Sequence, residues 1–208
     1  MNGIRKVKIA VLCSGGGTNF QAIMSAEEAG LLPSGEVKLV VTDQAGAYVL
    51  TRAARYGVET AVVDRKAVRD RREREQKILA ILKEKQIDFI VLAGFMTVLG
   101  ADFIKAYEGR IINVHPALIP SFCGEGFYGL HVHEAVLARG VKVTGATVHY
   151  VTEVCDGGPI LLQKAVEVKE NDTPETLQKR VMREAEWVIL PEAVELVAKK
   201  LKGEIYGS

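Results

Sequence analysis

The chain has 208 residues and a mass of 22.7 kDa, and 48% of its residues are hydrophobic, which is enough to bury the core of one large domain over residues 1–208. This composition excludes a disordered chain, a collagen-like chain and a small disulfide-rich scaffold. Lys and Arg number 27 against 26 Asp and Glu, so the net charge of +1 provides no general attraction to nucleic acid or to an anionic membrane. An anionic ligand must therefore be held locally, by a particular loop.

The cysteines and the N-terminal region predict a cytoplasmic protein. Cys13, Cys123 and Cys155 cannot all pair with one another, and no C-x-x-C motif occurs, which favours reduced thiols. The apolar run at residues 7–13 is short and leads into glycines, so we expect no signal peptide. No stretch of about 18 apolar residues occurs, so we expect no membrane span.

Apolar segments rich in Val and Ile recur in the first half of the chain, and they are mostly continuous, as in strands covered on both faces. They lie at residues 7–13, 37–42, 58–63, 89–93 and 110–114. Helical patterns separate them, at residues 19–30, 45–56, 68–86 and 101–107. This alternation predicts right-handed βαβ units and an α/β fold with a doubly wound, mostly parallel, Rossmann-like sheet.

The second half of the chain departs from this alternation. Residues 143–151 alternate between apolar and polar types, and residues 160–168 are a second strand candidate. The turn signal DGGP lies between them at residues 156–159. We therefore predict an antiparallel addition to the sheet. We expect the first half, about residues 1–112, to bind a phosphate or nucleotide. We expect the second half, about residues 113–208, to carry the catalytic and folate-binding residues.

A long C-terminal helix is predicted over residues 173–201. Thr173 is the candidate cap, with Pro174 at the first helical position and Thr176 where a Glu would complete a capping box. Pro191 is expected to break or kink this helix, because proline removes a hydrogen bond from the helical ladder.

A basic run at residues 65–77 holds seven basic and three acidic residues. A nucleic-acid patch is one interpretation. A solvated entry to a helix is favoured instead, because acids are interspersed and the following ILAIL provides a buried side.

The motif SGGGTN at residues 14–19 directly follows the first strand and opens a helix. Glycines let the backbone turn tightly, and free amides at a helix N-terminus favour a phosphate. It is not a P-loop, and Phe20 stands where the dinucleotide fingerprint needs its third glycine. Asp43, at the end of the second strand, keeps an NAD ribose site open as a weaker interpretation. Alone, the motif indicates a monophosphate or nucleotide site, or a plain strand-to-helix turn.

Asn113 and His115 stand two apart on a predicted strand, so their side chains point to the same face. Pro116 ends that strand, at the edge where open α/β sheets bind ligands. A neutral imidazole there can move a proton, and an amide can donate to a developing oxyanion. A strand-end His bonded to a neighbouring loop is the structural alternative. Asp156 could reach His115 and keep it charged, or simply bond its own turn.

A metal site is not expected. His131 and His133 are two apart and would not face each other on a helix. Cys123, His115 and His149 stand at no recognised zinc spacing.

Taken together, these segments resemble the glycinamide ribonucleotide formyltransferases, the folate-dependent enzymes of purine synthesis, over roughly residues 7–200. The segments that carry the resemblance are SGGGTN at 14–19, VLAGFMTVL at 91–99, NVHPALIP at 113–120, GLHVH at 129–133 and DGGP at 156–159. The resemblance implies transfer of a formyl group from 10-formyltetrahydrofolate, the co-substrate, to the amine of glycinamide ribonucleotide. It implies no metal, and a monomer or homodimer that binds only these small molecules.

The resemblance also implies roles for individual residues. Asn113, His115 and Asp156 match the catalytic trio, in which a protonated His115 and the Asn113 amide would stabilise the oxyanion. The residues implied for ribonucleotide binding are Gly16, Gly17, Thr18, Asn19 and Glu186. His131 and His149 fall where the family has His.

The implied folate pocket has two walls and one arginine. Its candidate residues are Arg71, Met96, Thr97, Val98, Leu99, Asn113, Tyr150, Val151 and Asp156. The register of the arginine stays open between Arg71 and Arg72. Thr97 departs from the family, since some members carry Arg there. Residues 121–128 form a loop longer than in some relatives, and we expect a mobile lid.

Three rivals stay open. A formyltetrahydrofolate hydrolase would share the trio but is expected to carry an extra N-terminal domain. A methionyl-tRNA formyltransferase would need a further C-terminal domain and a positive surface, neither of which we expect here. A non-catalytic nucleotide-binding module is the third, and the intact trio argues against it.

Overall fold

In the computed structural model, which describes residues 5–203, seven strands form one sheet in the order β3-β2-β1-β4-β5-β6-β7. The strands are β1 (Val7–Leu12), β2 (Gly35–Thr42), β3 (Glu59–Val62), β4 (Phe89–Leu92), β5 (Ile111–His115), β6 (Val143–Tyr150) and β7 (Ile160–Glu167). The helices are α1 (Thr18–Glu28), α2 (Val49–Arg55), α3 (Arg71–Glu84), α4 (Ala101–Ala106), α5 (Leu130–Arg139), α6 (Pro174–Val181) and α7 (Trp187–Leu201). The ends of the predicted domain, residues 1–4 and 204–208, lie outside the described residues.

The sheet is parallel over its first five strands and antiparallel over its last two. β1 pairs in parallel with β2 and β4, β2 with β3, and β4 with β5. β6 then runs antiparallel to β5, and β7 antiparallel to β6. The predicted doubly wound α/β fold with an antiparallel addition is confirmed. Because strand order reverses at β1 and β4, the carboxyl ends of the central strands border a crevice suited to ligands.

Both faces of the sheet are covered, which explains the continuous apolar strands. Along β1, Ile9 and Val11 face α1, α2 and α7, whereas Ala10 and Leu12 face α3 and α4. Each of these four side chains is fully buried. A parallel strand covered on both sides needs apolar residues at every position, so it shows no alternation.

The C-terminal helix is capped as predicted but is interrupted at a different place. Thr173 and Thr176 form the reciprocal capping box. The Thr176 hydroxyl accepts the Thr173 N–H, as the side chain of a Glu at that position would. The prediction of a break at Pro191 was wrong, because Pro191 lies inside α7. The interruption is instead a π-helical turn at Met182–Glu186, where the Trp187 N–H donates to the Met182 carbonyl. This turn ends just before Trp187, whose carbonyl is the one that Pro191 leaves without a helical donor.

Several basic residues of the run at residues 65–77 pair with nearby acids. The helix begins at Arg71 rather than at residue 68, because the Asp70 side chain caps it by accepting from the Glu73 N–H. Arg72 pairs with Asp102 at 3.4 Å, and Lys77 with Glu73 at 2.7 Å. These pairs support the solvated helix entry over a nucleic-acid patch. None of the helices within residues 5–203 has the length and apolar character needed to cross a membrane.

Candidate active site

The glycine turn between β1 and α1 is held in place by α2. Gly17 has a φ of 72°, and a Cβ there would lie 2.6 Å from the Val49 side chain, so only glycine fits. The Val49 N–H donates to the Gly15 carbonyl at 3.1 Å, and Arg52 Nε donates to the Gly16 carbonyl at 2.8 Å. The turn is therefore a braced backbone structure that opens the N-terminus of α1, as a phosphate-binding turn requires.

The last helical segment reaches the start of α1 through one buried pair. Asn19 Nδ2 donates to Glu186 Oε2 at 2.7 Å, and both side chains are buried. Burial raises the pKa of Glu186 to about 7, against the opposing effect of the Asn19 hydrogen bond. Glu186 ends the π-helical turn, and such turns often occur at functional sites.

A cavity of about 1120 Å³ opens between α1 and α7 beside this pair. Thr18, Gln21 and Arg52 line it next to the glycine turn, and Trp187 lines it from α7. Of the predicted ribonucleotide residues, Thr18 lines this cavity, whereas Asn19 and Glu186 contact each other without lining it.

The predicted trio lies together at the carboxyl end of β5. His115 Nδ1 is 3.5 Å from Asp156 Oδ2, and both side chains are nearly buried. Asn113 Nδ2 lies 3.3 Å from His149 Nε2, and that nitrogen is 3.5 Å from Asp156 Oδ1. His149 thus connects Asn113 to Asp156. In the sheet, β6 places His149 directly opposite Asn113. We did not predict from the sequence that His149 connects the other two residues, although the alternation of residues 143–151 indicated a strand there.

The carbonyl partners of the two imidazoles determine where their protons lie. His115 Nε2 is 2.8 Å from the Phe122 carbonyl, so this nitrogen carries the proton and Nδ1 faces Asp156. His149 Nδ1 donates to the Tyr150 carbonyl at 2.8 Å, and its Nε2 faces both the Asn113 amide and Asp156 Oδ1. Asn113 keeps its second N–H for another acceptor.

Burial controls the charge on His115. It lowers the pKa of His115 below the ordinary value of 6.5, and the charge of Asp156 opposes this only partly. The unliganded imidazole is therefore neutral near pH 7, contrary to the expectation of a charged His115. Burial alone would raise the pKa of Asp156, but hydrogen bonds from His149 and from the Gly124 N–H bring it below its ordinary value.

The loop at residues 121–128 contacts the trio. The Phe122 carbonyl accepts from His115, and the Gly124 N–H donates to Asp156 Oδ2 at 2.8 Å. Phe122 and Phe127 contact each other edge to face with ring centres 6.4 Å apart. These contacts connect the loop to two members of the trio, and its predicted role as a lid stays a prediction.

The predicted folate walls flank the trio. Met96 and Val98 are exposed after β4, and on the other side Tyr150 ends β6 and Val151 follows it. Thr97 does not face outward in the same way, since its hydroxyl donates to the buried Asp43. The NAD ribose interpretation of Asp43 is not supported, because this carboxylate is buried and already engaged.

The predicted arginine lies beside the end of the first folate wall. Glu75 accepts the Gly100 N–H at 2.8 Å and lies 3.6 Å from Arg71 Nε. Both arginines are exposed, but Arg72 pairs with Asp102 instead. This geometry favours Arg71 over Arg72 as the residue nearer to residues 96–99.

No group of three or more His, Cys, Asp or Glu side chains within residues 5–203 is arranged to hold a metal ion. His131 is exposed and contacts Glu134 at 3.0 Å, whereas His133 is fully buried on the same helix. The two histidines therefore do not share a face.

Comparisons with known proteins agree with this geometry. The formyl transferase family model matches residues 7–194. The chain is 45% identical over 195 residues to the trifunctional purine biosynthetic protein adenosine-3 of Gallus gallus, covering 93% of this chain and 18% of that protein. It is 40% identical over 182 residues to the chloroplastic phosphoribosylglycinamide formyltransferase of Arabidopsis thaliana, covering 86% of this chain and 62% of that protein. The chain thus spans less than two thirds of the length of these relatives.

Solved structures resemble the whole fold. Glycinamide ribonucleotide transformylase 1 from Symbiobacterium toebii has a TM-score of 0.87 and 40% identity, over 94% of this chain and 89% of that chain. Phosphoribosylglycinamide formyltransferase from Bacillus halodurans has a TM-score of 0.85 and 41% identity, over 93% of this chain and 96% of that chain. A family match over most of the sequence, together with these likenesses, establishes that the chain belongs to the formyl transferase family.

Proposed function

We propose that this protein transfers the formyl group of 10-formyltetrahydrofolate to the amine of glycinamide ribonucleotide, in purine biosynthesis. The observation that carries the proposal is the contact of His115 with Asp156 and of Asn113 with His149, in a formyl transferase chain whose first strand leads into a braced glycine turn. The names of the relatives in chicken and Arabidopsis support the choice of acceptor. The family implies a folate-type co-substrate, and the 10-formyl form is the one that carries a transferable formyl group.

The reaction begins when the free amine attacks the formyl carbon. A tetrahedral oxyanion forms, and Asn113 donates to it through the N–H that His149 does not use. The proton lost by the amine passes to neutral His115 at Nδ1, and the same proton is delivered to the leaving folate nitrogen. The proton count therefore balances, and no covalent enzyme intermediate is needed.

Asp156 acts through His115. Its carboxylate lies on the Nδ1 side of the ring, so it stabilises the imidazolium that forms when the amine proton arrives. Asp156 also fixes the position of the loop through the Gly124 N–H. In this role the low pKa of Asp156 matters, because the carboxylate must stay ionised while His115 changes charge.

The substrates occupy two adjoining subsites. The ribonucleotide subsite consists of Gly16, Gly17, Thr18, Asn19 and Glu186. The folate subsite consists of Arg71, Met96, Thr97, Val98, Leu99, Asn113, Tyr150, Val151 and Asp156. The first half of the chain then supplies the phosphate turn, and the second half the catalytic trio.

The thiols support a location in the cytoplasm. All three cysteines are free, which fits a reducing compartment. The relatives include a chloroplastic form, so the compartment is a proposal for this chain alone.

The test is deformylation of 10-formyltetrahydrofolate, followed by absorbance with and without glycinamide ribonucleotide. Turnover that depends on the ribonucleotide supports the proposal. Turnover in its absence identifies a hydrolase, and folate binding without turnover means that the trio has been misread or that the acceptor is another molecule. Either of these results overturns the transferase assignment.

A further inference from the structure

Two buried side chains hold the segment that carries the first folate wall. Asp43, directly after β2, accepts from the Thr97 hydroxyl at 2.8 Å and is 1% exposed. Ser14, directly before the glycine turn, accepts the Met96 N–H with its Oγ at 2.9 Å and donates its own N–H to the Gly94 carbonyl at 3.0 Å. Residues 94–97 are therefore anchored from the ends of β1 and β2.

The hydrogen bond from Thr97 is important to Asp43 because the Asp43 carboxylate is buried. Asp43 Oδ1 is buried and has no hydrogen-bond partner among residues 5–203. A buried carboxylate oxygen has lost its hydrogen bonds to water, so each one that is not replaced within the protein lowers the free energy of unfolding. The Thr97 hydroxyl provides one such bond to Oδ2, and bonds to a charged acceptor are stronger and shorter than neutral ones. Thr97 is thus held firmly inward.

The neighbours of Thr97 face the opposite way. Met96 is 45% exposed and Val98 is 66% exposed, although both are large and apolar. The chain bends at Thr97, whose hydroxyl points inward to Asp43, whereas the side chains of Met96 and Val98 on either side of it stay exposed. Exposed apolar side chains on a firmly anchored segment suit one face of a flat aromatic ring.

We propose that Asp43 is a positioning residue for the folate subsite, acting through the hydroxyl of Thr97. This inference rests on the proposed function, because it names the ligand as the ring system of a folate. Among residues 5–203 the Asp43 carboxylate makes no hydrogen bond to the trio or to the glycine turn, so its loss should weaken folate binding while ribonucleotide binding is unchanged.

The test compares Thr97→Val, which keeps the shape but removes the hydroxyl, with Thr97→Ser, which restores it. We expect Thr97→Val to raise the Kd for tetrahydrofolate, measured by calorimetry, about tenfold, and to raise the KM for the formyl donor to a similar extent. Thr97→Ser should recover most of this loss. Thr51→Val, an exposed position on α2, is the matched control and should leave both constants unchanged.

A second substitution tests whether Asp43 is the partner that matters. Asn at position 43 still offers an oxygen to Thr97 but removes the charge, so Asp43→Asn should raise the Kd less than Thr97→Val. Thr97→Val should then cost less in the Asp43→Asn background than in the natural chain. Independent, multiplicative effects of the two changes would overturn the proposed coupling.

The remaining outcomes separate this inference from the proposed function. An unchanged Kd for tetrahydrofolate in Thr97→Val would overturn the positioning role. Equal losses of affinity for folate and for ribonucleotide, together with a lowered Tm, would show that the contact is only structural. Calorimetry needs no turnover. If the wild-type protein bound tetrahydrofolate but transferred no formyl group, the proposed function would be refuted. The Kd values of the variants would still show whether Asp43 positions the folate subsite.

Discussion

The amide of Asn19 donates to the carboxylate of Glu186 at 2.7 Å, which joins the first helix to the end of the π-helical turn across 167 residues of sequence. Because Glu186 is buried with this one side-chain donor, its pKa is raised to about 7 from the ordinary 4.5. A carboxyl group in that state responds to pH within the neutral range.

The pH dependence of stability should therefore change in Glu186→Gln. A raised folded-state pKa means that the native protein binds more protons than the unfolded chain between pH 4.5 and about 7, so this group's stability contribution is lost as pH rises through that window. The loss amounts to roughly 3 kcal/mol at most. Denaturant unfolding from pH 5 to 8 should show a shallower decline in the free energy of unfolding for the variant. Glu192→Gln, exposed on α7, should follow the wild type, and a parallel decline in all three proteins would contradict the burial argument.

Asn113→Ala should lower kcat with little effect on either KM. Loss of one donor to an oxyanion typically costs about 3 to 4 kcal/mol, or roughly 10² to 10³ in kcat. Steady-state kinetics with both substrates would measure this, with exposed Asn171→Ala as the matched control. Full kcat in Asn113→Ala would remove this residue from the mechanism.

Asp156→Asn should reduce kcat by about 10²-fold while the protein stays folded. The Asp156 charge partly offsets the effect of burial on the pKa of His115, so its removal lowers that pKa further. The acidic limb of the kcat/KM profile, where His115 becomes protonated, should therefore move to lower pH. Exposed Glu170→Gln is the control, and a profile that kept its position would contradict the coupling of Asp156 to His115.

Gly158→Ala should disrupt the turn that carries Asp156. A Cβ at position 158 would lie 1.8 Å from the Tyr150 carbonyl oxygen, so the backbone would have to move. We expect a lower Tm and a kcat reduced more than in a surface variant. Gly46→Ala, where an added Cβ has open space around it, should match the wild type in thermal unfolding and in activity. Normal kcat in Gly158→Ala would mean that the catalytic geometry does not depend on this close approach.

Several parts of the site could be predicted because they depend on local periodicity. Asn113 and His115 share a face because a strand has a period of two, and the glycine turn was recognisable from its place after an apolar strand. The link from Asn113 through His149 to Asp156 depends on the antiparallel register of β5 and β6, which local sequence does not specify.

Patterns of residue type thus determined the α/β class, the order of the elements and the residues offered to the crevice, because burial on two faces and helix capping are local requirements. Tertiary structure alone decided the charge of His115, the pKa of Glu186 and the hydrogen bond that holds Thr97 inward on Asp43. Each of these depends on desolvation or on a partner distant in the chain, and both arise only when the elements pack against one another.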